Sequence, residues 1–358
     1  MKILDFYIIR KFLLTFVTAI SLIIVIVIVV DISENIQDFL DGNAPVSEII
    51  TGYYLNFIPY FVNLFSPLFT FIAVIYFTSK LTSHTEIVPM LNAGMSLYRM
   101  LIPYLISAIM IGVLSFYLSN FLIPTTSRNL IAFKEKYVSR QVRLKRSDNH
   151  IKLGENTYAY VHYWDNIVAK GHDFWYERFD HNGLKYKISA ESISWDSTES
   201  KWKMTNYVKR YFSGIDEKVE YGLTMDTVLN VHPGDFVWIK SGVDLMNYKE
   251  IREFIEEEKA KGSDRVKIYE VEKHRRLAFP FSTIILTVVG MSVSSRKTRQ
   301  GMGLHLLVGL AISFAFILLM QITQVFAIYG GASVTLSVWI PNILFSILCI
   351  ALLLTTPK

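Results

Sequence analysis

The run FLLTFVTAISLIIVIVIVV, residues 12–30, decides the fold class. A hydrocarbon core takes about 20 apolar residues in one helical crossing, and this run comes close to that length without a charge. Five more segments reach or approach it: Tyr53–Phe77, Leu101–Ile123, Leu277–Val293, Leu304–Ile328 and Val334–Leu354. Three apolar segments therefore precede residue 125 and three follow residue 275. Between them lies polar, aromatic, strand-like sequence. The expected fold is an α-helical membrane protein of six transmembrane helices with one large domain inserted midway. The expected limits are 1–127 for the first three spans, 128–272 for the inserted domain and 273–358 for the last three.

Composition agrees with this reading. Hydrophobic residues make up 52 % of the chain and the mean hydropathy is +0.34. The formal net charge of +5 is small for 358 residues and gives no nucleic-acid signature. The single cysteine, Cys349, sits in the last apolar span, so the chain can form no internal disulfide. The first apolar run is too long for a cleavable leader, and no small-residue cleavage site follows it closely.

Loop charges give an orientation. Lys2, Arg10 and Lys11 lead into the first span, and Lys80, His84 and Arg99 flank the loop between spans two and three. Arg296, Lys297 and Arg299 lie between spans four and five. The first loop on the other side carries Asp31, Glu34, Asp38, Asp41 and Glu48 and no Lys or Arg. Short basic loops stay in the cytoplasm, and with six spans all three basic stretches fall on one side. Both termini are expected in the cytoplasm, and the central domain is expected to face outward.

The central domain reads as β. Alternation appears in Thr157–Tyr163 and Lys185–Ala190 and continues through Lys201–Met204 and Tyr207–Phe212. Turn signals separate these runs: Asp148-Asn149, His181-Asn182-Gly183, Ser213-Gly214 and His232-Pro233-Gly234-Asp235. Strands of this length and spacing predict a sandwich, a β-jelly-roll-like domain. Its dense aromatic residues either fill the core or line a groove for a lipid chain. A helix is expected over 246–261, followed by an extended run from Asp264 to Lys273 into span four.

The chain holds no G-x-x-x-x-G-K-[ST], no H-E-x-x-H and no C-x-x-C, and its histidines lack metal-ligand spacing. No catalytic residues and no metal site are therefore expected. No carboxylate pair lies within a span, as ion-coupled transport would often require, and Asp31 and Glu34 at a span end read as solvated. Energy for uphill transport would have to come from another subunit. The loop between spans two and three offers a dock. Ser83 or Thr85 can cap a short helix and Gly94 can close it, over about 83–94. Ile87, Met90 and Leu91 share one face. Glu86 lies in the first turn, where it either gains from the helix dipole or meets a partner's basic or polar groove.

Several separated motifs resemble the lipopolysaccharide-export permeases, the LptF/LptG family, also called YjgP/YjgQ. The lead Leu4–Leu13, Glu86 with Ala93-Gly94, and Leu229–Phe236 each have counterparts there. So do Glu272–Pro280, Gly301–Leu304 and Trp339–Asn342. The compact length and acidic first loop are similar to the LptG branch. The resemblance implies a permease subunit of an ABC-type exporter. It would pair with an LptF-like permease on an LptB ATPase dimer, with LptC joining at a lateral gate and lipopolysaccharide passing toward the LptA bridge. No cofactor is expected on this chain, ATP and Mg²⁺ being used by the ATPase.

Residue roles follow from the same resemblance. Glu86, Ile87, Met90, Leu91 and Gly94 would couple to the ATPase. Acidic Asp31, Glu34 and Asp38 stand where some relatives carry basic residues for lipid A phosphates. Those phosphates would instead be met elsewhere, by the partner or through a bridging divalent cation. By position, Arg128, Lys134 and Lys136 after span three and Lys273, Arg275 and Arg276 before span four lie near the outer headgroup plane. There they either hold lipid A phosphates or simply anchor in the headgroups. Val25 and Val29 of span one, with Phe316 and Met320 of span five, would line the lateral gate. The alternative of another class is a membrane-anchored envelope sensor or scaffold with an outward β domain, which needs no ATPase dock.

Overall fold

The computed structural model describes residues 3–84, 86, 89–90, 96–138, 149–154, 156–165, 169–181, 183–196, 201–214, 216–229, 243–260, 266–295 and 302–355. Helix α1 is Ile3–Asp41. A helical turn at Val46–Glu48, a π-helical turn at Ile49–Tyr54 and α2 at Leu55–Ser83 run on as the second long helix. Then α3 (Leu97–Tyr117), a second π-turn at Leu118–Leu122 and α4 (Ile123–Tyr137) make the third. Strands β1–β6 follow, at Asn149–Gly154, Thr157–Asp165, Lys170–Asp180, Gly183–Asp196, Lys201–Ser213 and Asp216–Thr227. The chain ends with α5 (Tyr248–Ala260), α6 (Val266–Ser294), α7 (Met302–Tyr329) and α8 (Val334–Thr355). Among the described residues, six helices are long and apolar enough to cross a membrane.

The chain divides into two compact units. The first comprises Met1–Phe133, Leu245–Tyr248 and Lys267–Lys358, and the second Lys134–Asp244 and Lys249–Val266. In the first unit α2 is the shared element. Ile8, Phe12, Phe16 and Ile20 of α1, at i, i+4 spacing, pack with Val74 and Phe77 of α2 and Met100 and Tyr104 of α3. Phe71 and Ile75, on another face of α2, pack with Leu286 and Val289 of α6, Phe316 of α7 and Phe345 of α8.

Two helices outrun expectation. At about 1.5 Å per residue, the 39 residues of α1 exceed one hydrocarbon crossing. The acidic segment from Asp31 to Asp41, read as a loop, is therefore a helical extension. The run Val266–Lys273, read as extended, is the opening of α6. It lacks Gly and Pro, and Glu272 bonds Arg275 and Arg276 at i+3 and i+4, a spacing that only a helix brings together.

The second unit holds the inserted β domain. Among the described residues six strands form one antiparallel sheet in sequence order, β1-β2-β3-β4-β5-β6. These strands follow one another as nearest neighbours in a meander, tight turns such as the one at Gly214 (φ +67°) returning each strand beside its predecessor. The runs Lys201–Met204 and Tyr207–Phe212, read as separate, are one strand, β5. Asn149, read as a turn residue, begins β1.

One transverse row leaves the ladders: His162, Asp173, Glu191, Asn206 and Leu223. Register is the same on both sides of it, as in Val161↔Phe174 and Tyr163↔His172. Asp173 (φ 53°) and Asn206 (φ 50°) supply left-handed turns on alternate strands, a conformation that Asp and Asn tolerate. Inward positions therefore shift by one residue across the row, from Val161 to Trp164 and from Met204 to Tyr207. Trp202, fully buried, meets Trp164 at 5.8 Å and Trp195 at 4.9 Å. These aromatics fill the core. Tyr160 and Trp175 pair on the opposite face, where Lys187 lies 4.7 Å above the Trp175 ring.

Candidate functional site

Two ends of the helical unit carry the predicted site residues. At the end that gathers the starts of α1 and α3, the Thr82 hydroxyl lies 2.9 Å from the Thr78 carbonyl and 3.0 Å from the Ser294 carbonyl. The last turns of α2 and α6 are thus tied together. Half-buried Glu86 donates its N–H to Leu81 at 2.9 Å, extending the turn that leaves α2. Pro89 and Met90 are helical, and Met90 packs on the cluster shared by α1, α2 and α3. The predicted coupling residues Ile87, Leu91 and Gly94 lie outside the described residues. Ser96 caps α3 by accepting the Arg99 N–H at 3.2 Å.

At the other end, Asp31 is half-buried instead of solvated. Its carboxylate accepts the hydroxyls of Tyr53 and Tyr54, each at 3.1 Å, and the Asn35 amide at 3.1 Å. The π-turn at Ile49–Tyr54 presents both tyrosines to one carboxylate, an arrangement a regular helix would not give consecutive residues. Phe39 and Phe133 close on Tyr53 at 5.1 and 5.5 Å. The Tyr53-Tyr54 doublet and an asparagine four residues beyond Asp31 were the available sequence signals.

The basic residues near this end have divided roles. Arg128 of α4 donates Nε–H to the Leu245 carbonyl at 3.0 Å. Arg276 of α6 is only 4 % exposed; it donates to the Met246 carbonyl at 2.6 Å and to Glu272 at 3.1 Å. Arg275 bonds the second Glu272 oxygen at 2.7 Å. Arg128 and Arg276 thus pin the returning backbone at Leu245–Met246 between two spans. This corrects the reading of Arg276 as a headgroup contact, since burial commits its guanidinium to the fold. Lys273 is half-buried on α6 and makes no ion pair among the described residues. Lys134 and Lys136 close α4, and Lys136 lies 4.8 Å above the Tyr137 ring.

The predicted gate residues also separate. Val25 and Val29 are each 59 % exposed on α1. Phe316 is 2 % exposed and meets Phe345 edge-on at 5.0 Å, so it belongs to the bundle core and not to an acyl-chain surface. Met320 borders the same core. The outward face of α7 is carried by Phe314, Leu318, Ile322 and Phe326. Among the described residues no group of three His, Cys, Asp or Glu side chains could hold a metal ion.

A family model described as lipopolysaccharide export system permease LptF/LptG matches residues 6–355. The chain belongs to that family. Among curated proteins, none matches the chain. The LptF/LptG match runs through all six apolar helices and the inserted sheet alike. An LptF/LptG permease is a transport component, and this one is a multi-pass inner-membrane protein of the lipopolysaccharide-export machinery. Asp5 and Arg99 are the residues that sequence reasoning passed over. One was read only as part of the family's leading segment and the other only as an orientation charge.

Proposed function

We propose that the chain is an LptG-like permease subunit of an ATP-driven lipopolysaccharide exporter. It pairs with an LptF-like permease on an LptB ATPase dimer, which alone uses ATP and Mg²⁺. LptC joins at the lateral gate, and lipopolysaccharide leaves toward LptA. The termini and the loop between α2 and α3 face the cytoplasm, and the sheet faces the periplasm. The observation that carries this reading is the family match over residues 6–355, which takes in the spans, the loop and the β domain together.

Mechanism follows from the placement of the parts. The Glu86 loop leaves α2 where that helix is tied to α6 through Thr82 and Ser294, so force on the loop meets a braced end. Val25 and Val29 form an apolar surface suited to acyl chains or to a partner helix, with β-branched side chains that do not invite close helix packing. Lys273, half-buried on α6, offers an ammonium group for phosphate.

The test replaces Glu86 with alanine. A charge-assisted contact typically contributes about 1.5–3 kcal/mol, so ATPase recovery with the purified permease pair should fall and export in cells should fail. The permease itself should still fold, because the Glu86 side chain is only half-buried. Unchanged ATPase recovery with unchanged export rejects this reading of Glu86.

A further inference from the structure

Asp5, in the first turn of α1, and Arg99, in the first turn of α3, form an ion pair with Nη2 and Oδ2 2.6 Å apart. Asp5 is 4 % exposed. A carboxylate is favoured in the first turn of a helix and a cation is not. Arg99 therefore owes its position to Asp5 and not to its own helix. A contact this short between charged partners is among the stronger hydrogen bonds of a protein.

The surroundings make the pair a junction. Directly beyond it, Phe12 meets Tyr104 at 5.8 Å, and the Tyr104 hydroxyl accepts from Thr78 of α2 at 2.9 Å. The first turns of α1 are thus held to α3, while Val25 and Val29 further along are exposed. Arg99 also follows Ser96, the residue that caps α3 at the end of the loop carrying Glu86. A displacement of that loop reaches α1 through the Arg99–Asp5 pair in addition to the apolar packing of α1 on α3.

We propose that Asp5 and Arg99 are positioning residues, a strut that carries movement of the α2–α3 loop into α1. The proposal rests on the reading of that loop as the ATPase dock. It gives α1 a direct mechanical link to the nucleotide cycle, with the outer part of the helix as the moving element.

The test uses the full permease–ATPase complex in nanodiscs with purified lipopolysaccharide. Asp5→Asn keeps the shape and removes the charge. The complex should assemble and hydrolyse ATP within about twofold of the parent, the range of a near-neutral change. Lipopolysaccharide released per ATP should fall about tenfold, the loss of one charged contact. Spin labels at Val29 and Phe326, with Cys349 replaced, should show a nucleotide-dependent change in spacing that Asp5→Asn abolishes. The reversed pair, Asp5→Arg with Arg99→Asp, should restore both readouts. If Asp5→Asn leaves release per ATP and the spacing change as in the parent, even with less complex assembled, the pair is a static clamp and the proposal is overturned. If the parent hydrolyses ATP without releasing lipopolysaccharide, the export reading falls, and the spacing measurement still decides the strut.

Discussion

Gly309 of α7 stands where an added Cβ would lie 2.1 Å from Cδ1 of Ile75 on α2. The two helices approach through the missing side chain, as small residues allow in membrane bundles. Ile75 is itself 1 % exposed, within the cluster that joins α2, α6, α7 and α8.

Gly309→Ala should therefore destabilise the bundle by about 1–3 kcal/mol through overpacking. Ile75→Val removes the clashing atom, so the double variant should recover part of that loss. Thermal melts of the four proteins in detergent close the cycle. Strictly additive losses would show that Gly309 is not held against Ile75.

Arg276 is expected to act through stability. Arg276→Met leaves Glu272 with one guanidinium and the Met246 carbonyl without its donor. Breaking a buried pair costs about 3–5 kcal/mol, so folded yield should collapse. Lys273→Ala should leave yield within about 0.5 kcal/mol of the parent, as for a change away from buried networks, and lower lipopolysaccharide crosslinking. Equal yields for both variants would remove the distinction between staple and contact.

Asp31 is expected to be structural before it is anything else. Asp31→Ala strands the hydroxyls of Tyr53 and Tyr54. Unsatisfied buried donors cost about 1–3 kcal/mol each, while Tyr53→Phe should cost about 1 kcal/mol because it removes one partner and leaves the other. Denaturation in mixed micelles ranks the two. A larger loss for Tyr53→Phe would place the carboxylate outside the network.

The β domain should respond to alkali through Tyr186. Burial, and then the neighbouring Tyr211, push the Tyr186 phenol above its ordinary range. The neutral phenol is the form the fold accepts. Its contribution is complete below the unfolded value of about 10 and is lost as pH rises toward the higher folded value. Tyr186→Phe should flatten this alkaline loss, read by the fluorescence of the buried tryptophans. An unchanged slope above pH ~10 would assign the transition to other groups.

The six spans were legible in the sequence because crossing a bilayer imposes a length of about 20 apolar residues, and no packing detail changes that requirement. Strands β2, β4 and, in two pieces, β5 were legible by alternation and turn signals, whereas β1, β3 and β6 were not read. The family was legible in ordered motifs from Leu4 to Asn342. Which face of each span turns inward was not. Span five is apolar all round, so composition ranks Phe316 and Phe314 alike; packing alone buries the first against Phe345 and exposes the second. Charges misled for a related reason. Asp31 and Arg276 have headgroup-like addresses in the sequence, yet partners 22, 23 and 30 residues away convert them into braces. The meander and its transverse row likewise depend on which strands become neighbours. Sequence determined the spans and the strands of clear alternation, because their lengths and periods are local and set by the solvent each must meet. Tertiary structure decided the roles of individual side chains, because those depend on distant partners that no local pattern encodes.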